Sequence, residues 1–276
     1  MPHPPPSPSA AAITARLRAA GSVFAEDEAA VLLAEAANPA ALERMVDQRA
    51  TGIPLEQVVG AVQFCGHRIR VEPGVFVPRR RTELLARRAV TQLHKATENN
   101  NEAGRSPVVV DLCCGSGAVA VVLSAACPPA RVHAVDIDPR AVRCASRNLR
   151  GSGARVRCGD LYSALPSTVR GAVTILTANA PYVPTTEIEL MPPEARLHEP
   201  RVALDGGPDG LDIHRRIVAA APDWLAPGGH LLIEVSARQA PTLADDVART
   251  GLRRRVIRSA RDGTTVVIAT RAPGRP

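Results

Sequence analysis

The sequence predicts an α/β fold in which a mostly parallel sheet carries helices on both faces, closes with an antiparallel pair of strands, and follows a small helical unit. Three observations predict it. From Pro107 onward, short apolar runs rich in β-branched residues alternate with helical stretches, the order that a parallel sheet with crossover helices imposes. The last two apolar runs, RRRVIRSA and TTVVIAT, are separated only by Arg261-Asp262-Gly263, a hairpin signal. Ahead of the alternation, residues 10–50 carry helical patterning alone.

Taken in order, residues 1–9 form a Pro-rich tail (MPHPPPSPS) whose composition predicts disorder. Residues 10–58 hold two or three short helices, punctuated by Gly21, Asn38-Pro39 and Gly52, and form a helical substrate-recognition domain. Residues 59–78 contain two strand-like runs around Cys65-Gly66-His67, a linking β-hairpin. The main domain, 79–276, opens with the helix TELLARRAVTQLHKA and a polar stretch, ATENNNEAGRSP, read as a loop. Then come the strand VVVDLC, helix GAVAVVLSAA, strand RVHAVDID, helix PRAVRCASRNLR and strands ARVRCGD and AVTILTAN. Helix DGLDIHRRIVAAAPDWLA, strand HLLIEVS and helix TLADDVART lead to the final hairpin. There is no internal repeat.

A chain of 276 residues with 45% hydrophobic content has ample material for one large domain and a small one. Aromatics make up only 2%, so Ala, Val and Leu build the interior, and the base-stacking platforms of single-strand binders are disfavoured. The net charge of +7 favours approach to acidic partners, including transient contact with RNA or a ribosome. The six cysteines (65, 113, 114, 127, 144 and 158) show no C-x-x-C pairing and no His at metal-ligand spacing; His67, His198 and His214 are scattered, so no metal is expected. No leader pattern and no membrane-length apolar stretch stand out, which predicts a cytoplasmic location and no membrane contact.

The chemistry concentrates at strand ends. Asp111-Leu-Cys113-Cys114-Gly115-Ser116-Gly117 follows a strand and opens a helix, so a ligand is able to approach its backbone N–H groups. The next strand ends in Asp136, placed to accept from ribose hydroxyls. Glycine loop and strand-end acid in that order point to an adenosine-type ligand, although Ala120 in place of a third glycine leaves a dinucleotide open. The third strand ends at Asp160-Leu161, an acceptor for an adenine amino group with an apolar neighbour for the ring. The fourth ends in Asn179-Ala180-Pro181-Tyr182, where Pro181 and Pro184 force a stiff, extended exit from the sheet. Such a loop also has a bland reading as a rigid turn.

Together these features resemble class I S-adenosylmethionine-dependent methyltransferases, with their Rossmann-like sheet, and more closely the HemK/PrmC family of protein-(glutamine N5) methyltransferases. The resemblance rests on VQFCGHRIRVEPGVFVPRRRTE, DLCCGSGAVAV, AVDIDPRAVRCASRNL, GDLYSAL, NAPYVP, EPRVALDGGPDGLDIHRRI and LAPGGHLLIEVSARQ. Generic methyltransferases lack the stretch from Glu199 through Gly210. The resemblance implies methyl transfer from S-adenosylmethionine to a protein glutamine, in the Gly-Gly-Gln loop of a peptide chain release factor. Asn179 Oδ1 and the Ala180 carbonyl would accept the two amide hydrogens, and Tyr182 would pack on the substrate amide. The donor would lie on Asp111, Cys113 to Gly117, Asp136, Asp160, Leu161 and Asn179.

The chain departs from the family pattern at Ala180, where the family has Pro, at Cys113, where it has Gly, and at Arg80-Arg81, where it has Pro and an acid. Arg79 to Arg81 read equally as a contact for an acidic surface or RNA and as a solvated basic turn. Trp224 reads as core, and Glu234 as either a pocket or a loop carboxylate. Two rivals remain: amino methylation of a nucleic-acid adenine, which needs a flipped base, and a non-catalytic cofactor-binding module.

Overall fold

The computed structural model describes residues 9–100 and 106–274; the Pro-rich segment before Ser9, and residues 101–105 of the expected loop, lie outside the described residues. The N-terminal unit contains α1 (Ala10–Ala19), α2 (Ala25–Glu35), α3 (Pro39–Ala50) and the short α4 (Leu55–Val59). Ser9, grouped with the tail on composition, caps α1: its hydroxyl accepts from the Ala12 N–H at 3.2 Å. Asn38 does the same for Ala41 at 2.8 Å, with Pro39 in the first turn where no N–H is needed. The apolar faces, Ile13, Leu17, Leu32, Leu42 and Val46 among them, form a separate small core. Helix α4, five residues long, is too short to show a period and was not predicted.

The hairpin β1 (Ala61–Phe64) and β2 (His67–Arg70) is antiparallel, with Phe64 opposite His67. Its turn holds Cys65 at φ 49° and Gly66 at φ 81°, the left-handed pair that tight hairpins demand. Helix α5 (Glu83–Asn100) outruns its expected end, because polarity alone does not stop a helix. The ATENN stretch contains neither Gly nor Pro, and the Thr97 hydroxyl donates to the Leu93 carbonyl one turn back at 2.9 Å.

The main sheet comprises β3 (Val108–Leu112), β4 (Arg131–Asp136), β5 (Arg155–Cys158), β6 (Val173–Ala178), β7 (Leu225–Val235), β8 (Arg253–Arg258) and β9 (Thr265–Thr270). Their order is β5-β4-β3-β6-β7-β9-β8, with β9 antiparallel to both neighbours and the β5 to β7 ladder parallel. Connecting helices are α6 (Ala118–Ala126), α7 (Pro139–Asn148), α8 (Pro193–His198), α9 (Asp212–Trp224) and α10 (Ala240–Arg249). One face packs Leu85, Leu93 and Leu123 of α5 and α6 against Val109, Ile175 and Leu232. The other packs Ile217, Val218, Leu243 and Val247 of α9 and α10 against Val110, Leu176 and Leu231. Each such side chain contributes about 1.5–3 kcal/mol on burial, so two filled faces set the sheet rigidly.

Strand order reverses at β3, which has β4 on one side and β6 on the other. The carboxyl ends of β3 and β6 therefore flank a crevice, the place where open α/β sheets bind ligands. Among the described residues no helix is long and apolar enough to cross a membrane, and no group of three His, Cys, Asp or Glu side chains is disposed to hold a metal ion.

Candidate active site

A cavity of about 570 Å³ opens in that crevice, a size typical of small-molecule sites. Asp111, Cys113 to Ser116, Asp136, Asp160, Leu161 and Asn179 to Tyr182 all line it, so four strand ends deliver their marked residues to one place. Gly117, expected among the ligand-binding residues, does not line it. A Cβ there would lie 3.1 Å from the Ala145 side chain, and φ is 80°, so this glycine lets α6 and α7 pack closely.

The loop after β3 is wound tightly. Cys113 is held at φ 55°, where the family pattern has Gly, at a cost of roughly 1–2 kcal/mol for a residue with a Cβ. Gly115, also at φ 55°, donates its N–H to Asp136 Oδ2 at 2.8 Å, and the space where its Cβ would stand is open. Burial pushes both the Cys113 and Cys114 thiols well up, which favours their protonated form as small packing groups.

Asp111 is 2% exposed. Its Oδ1 accepts from the Thr177 hydroxyl on β6 at 2.8 Å, Oδ2 completes no hydrogen bond of good geometry among the described residues, and the Ala120 N–H also favours the charged carboxylate. Burial, only partly offset by the Thr177 bond, pushes this carboxyl up to about 7. A buried acceptor left open on a cavity wall is a place for a cationic ligand group. Asp136 spends one oxygen on Gly115 and the other on the Asp138 N–H at 2.9 Å; burial again raises its pKa, and it lines the cavity with acceptor capacity to spare. Asp160 is already paired, its Oδ2 accepting from Arg216 at 2.5 Å on the rim. Leu161 sits at φ 48°, a strained conformation of the kind that collects at ligand sites.

The Asn179 loop is held from behind by the stretch that follows Glu199. Val183 N–H donates to the Leu204 carbonyl at 3.0 Å and Gly206 N–H returns the bond to Val183 at 2.9 Å. Gln239 Nε2 on α10 holds the Tyr182 carbonyl at 2.9 Å. A Cβ on Gly206 would lie 2.7 Å from the Pro181 carbonyl oxygen, and one on Gly210 would strike the Tyr182 carbonyl, so the Asp-Gly-Gly-Pro-Asp-Gly sequence exists to let two backbones touch.

Residues 78–83, whose arginines read equally as a solvated turn, close the cavity instead. Arg79 turns inward and pairs with both oxygens of buried Glu199 at 2.6 Å, while Glu199 also accepts from the Val77 N–H at 3.1 Å. Its Cζ lies 5.0 Å from the Phe76 ring centroid. Arg81 lies 5.7 Å over the Tyr182 ring and 3.4 Å from Glu234 Oε1, and only Arg80 makes no ion pair among the described residues. Thr82 Oγ1 accepts from Asn179 Nδ2 at 3.2 Å. Glu83 anchors the hairpin through the Cys65 N–H at 3.0 Å. Of these, sequence reasoning assigned no site role to Thr82, Phe76 or Glu199; the signals for them were the GVFVPRRRTE run and the family-specific stretch that opens at Glu199. Trp224 stacks on Tyr162 with centroids 5.3 Å apart, away from the cavity.

The methyltransferase small domain model matches residues 68–191. A release factor glutamine methyltransferase of Geobacter sulfurreducens is 39% identical over 214 residues, covering 77% of this chain and 71% of that protein. The chain belongs to the release factor glutamine methyltransferase family. A second relative of this family member is the 4-amino-L-phenylalanine/4-methylamino-L-phenylalanine methyltransferase of Streptomyces pristinaespiralis, 41% identical over 189 residues, 68% of this chain and 63% of that one. The chain thus spans about two thirds of the length of the curated relatives it matches. A methyltransferase structure from Pyrococcus furiosus, 15% identical, superposes with a TM-score of 0.52 over 75% of this chain and 90% of that one, and shares the fold. The family member therefore carries a class I methyltransferase sheet with an antiparallel C-terminal hairpin.

Proposed function

We propose that this protein transfers a methyl group from S-adenosylmethionine to the side-chain amide nitrogen of a glutamine in a release factor. The observation that carries the proposal is that the Asn179-Ala180 loop and the strand-end acids Asp111 and Asp136 line the same cavity. Asp111 and the loop from Cys113 to Ser116 would hold the methionine end of the donor, Asp136 the ribose, and Leu161 and Asp160 the adenine. When bound, the donor supplies an electrophilic methyl on a positively charged sulfur.

An amide nitrogen is a weak nucleophile because its lone pair is delocalised into the carbonyl. Asn179 Oδ1 and the Ala180 carbonyl accept its two hydrogens, aim the nitrogen at the methyl and stabilise positive charge as it develops. The S–CH3 bond breaks as the N–CH3 bond forms, the sulfur keeps the electron pair, and one amide proton leaves to solvent. The methylated amide cation is acidic enough that no side-chain base is needed. Tyr182, with Arg81 over its ring, walls the acceptor side.

The Streptomyces pristinaespiralis relative supports a second reading, a small arylamine acceptor, since its nitrogen also carries two hydrogens. Methyl incorporation into a recombinant release factor and into 4-amino-phenylalanine, measured side by side with labelled donor, separates the two. Label in the release factor alone is the expected result; label in the amine alone would overturn the proposal.

A further inference from the structure

Two observations meet behind the Asn179 side chain. The first is its bond to Thr82, formed across 97 residues of sequence, with Nδ2 donating to Oγ1 at 3.2 Å. The two ends of a primary amide are nearly alike in shape, so only its hydrogen-bond partners decide which end faces the cavity. With Nδ2 engaged by Thr82, Oδ1 is the end left for a substrate. A threonine hydroxyl, however, both donates and accepts. Thr82 alone would serve equally well with its proton directed at Oδ1 and the amide turned round.

The second observation removes that freedom. Glu234, at the carboxyl end of β7, is 2% exposed, and its carboxylate oxygens complete no hydrogen bond of good geometry among the described residues. Burial, the largest influence, raises its pKa, and its polar neighbours, the Thr82 hydroxyl and the Arg81 guanidinium 3.4 Å from Oε1, oppose that rise by favouring the ionised form. In its ionised form a carboxylate only accepts, so beside Thr82 it favours the rotamer that points the single hydroxyl proton its way and leaves the Thr82 oxygen as an acceptor. The Glu234 backbone is fixed in turn by buried His214, whose Nε2–H donates to its carbonyl at 3.1 Å.

We propose that Thr82, polarised by Glu234, is a positioning residue that locks the Asn179 amide with its oxygen toward the acceptor nitrogen. The inference rests on the glutamine-methylation reading above. Neither residue touches the reacting atoms; they set which end of Asn179 does.

The test compares Thr82→Val, Thr82→Ser and Glu234→Gln in the full chain, by steady-state methylation of a release factor, calorimetric Kd for S-adenosylmethionine and thermal melting. Thr82→Val keeps the shape and loses the hydroxyl, so kcat is expected to fall about 10- to 100-fold, the scale of a misplaced reacting group, with Kd, KM and Tm little changed. Thr82→Ser restores the hydroxyl and is expected to restore kcat. Glu234→Gln keeps the shape but adds a donor that competes to face Thr82 and turn its proton toward Asn179 Oδ1, so it is expected to lose part of the kcat that Thr82→Val loses. An active wild type whose Thr82→Val variant keeps kcat, or whose losses follow Kd or Tm and are not rescued by Ser, would overturn the inference alone. A wild type inactive on the release factor overturns the proposed function, and this inference with it.

Discussion

At the scale of single residues, the account depends on two side chains with opposite tasks. In the proposed function Asn179 holds the acceptor: Asn179→Ala is expected to lower kcat by about 10²–10³, as loss of one preorganised group does, and to change the donor Kd from calorimetry far less. In the proposed function Asp111 holds the donor, and it costs stability. Its carboxyl is raised from the ordinary 3.8 to about 7, so the fold favours the protonated form. That stabilisation is complete below about pH 4 and is lost as pH rises through about 7. At about 1.4 kcal/mol per pKa unit the loss is on the order of a few kcal/mol. Asp111→Asn is expected to flatten urea midpoints between acid and neutral pH and to make the protein more stable than wild type at pH about 8. Donor affinity runs the other way, since a cationic ligand favours the ionised carboxylate: wild-type affinity rises with pH up to about 7 and levels off, and the Asn variant binds weakly throughout. Asn179 and Asp111 were legible because each ends a strand in a marked context. Thr82, Glu199 and the inward turn of Arg79 were not, since the contacts that define them are 97 to 120 residues away in sequence.

At the scale of elements, the acceptor loop is only as firm as the segment behind it. Gly210 sits at φ 76°, and a Cβ there would strike the Tyr182 carbonyl. Gly210→Ala is expected to cost about 1–3 kcal/mol from backbone strain alone and to abolish methylation, with far-ultraviolet circular dichroism unchanged and activity read by donor label. The sequence made the sheet strands and the final hairpin plain, because alternation, β-branching and turn residues are local signals. It left α4 out and stopped α5 early for the converse reason. A five-residue helix has no period to detect, and a polar helical end is indistinguishable by composition from a loop.

At the scale of the whole molecule, the N-terminal helices are tied to the roof of the site. Arg49 grips Glu28 at 2.9 Å with both nearly buried, and reaches Glu194 on α8 at 3.4 Å; Gln57 Nε2 donates to the Val75 carbonyl at 3.2 Å and lies 3.5 Å from that of His198. Arg49→Ala leaves the Glu28 carboxylate buried and alone, and is expected to cost about 3–5 kcal/mol in chemical denaturation. If the helical unit receives the protein substrate, as proposed for it, the same change is expected to raise KM for the release factor more than Kd for the donor. Such ties span the two units and leave no mark in either stretch of sequence alone.

The most direct test of the central claim is peptide mass spectrometry of a release factor incubated with this protein and S-adenosylmethionine, with Asn179→Ala in parallel. The account predicts one added methyl on the glutamine of the Gly-Gly-Gln loop with wild type and none with the variant. An unmodified glutamine beside a wild-type protein that binds the donor, or equal methylation by the variant, would contradict it.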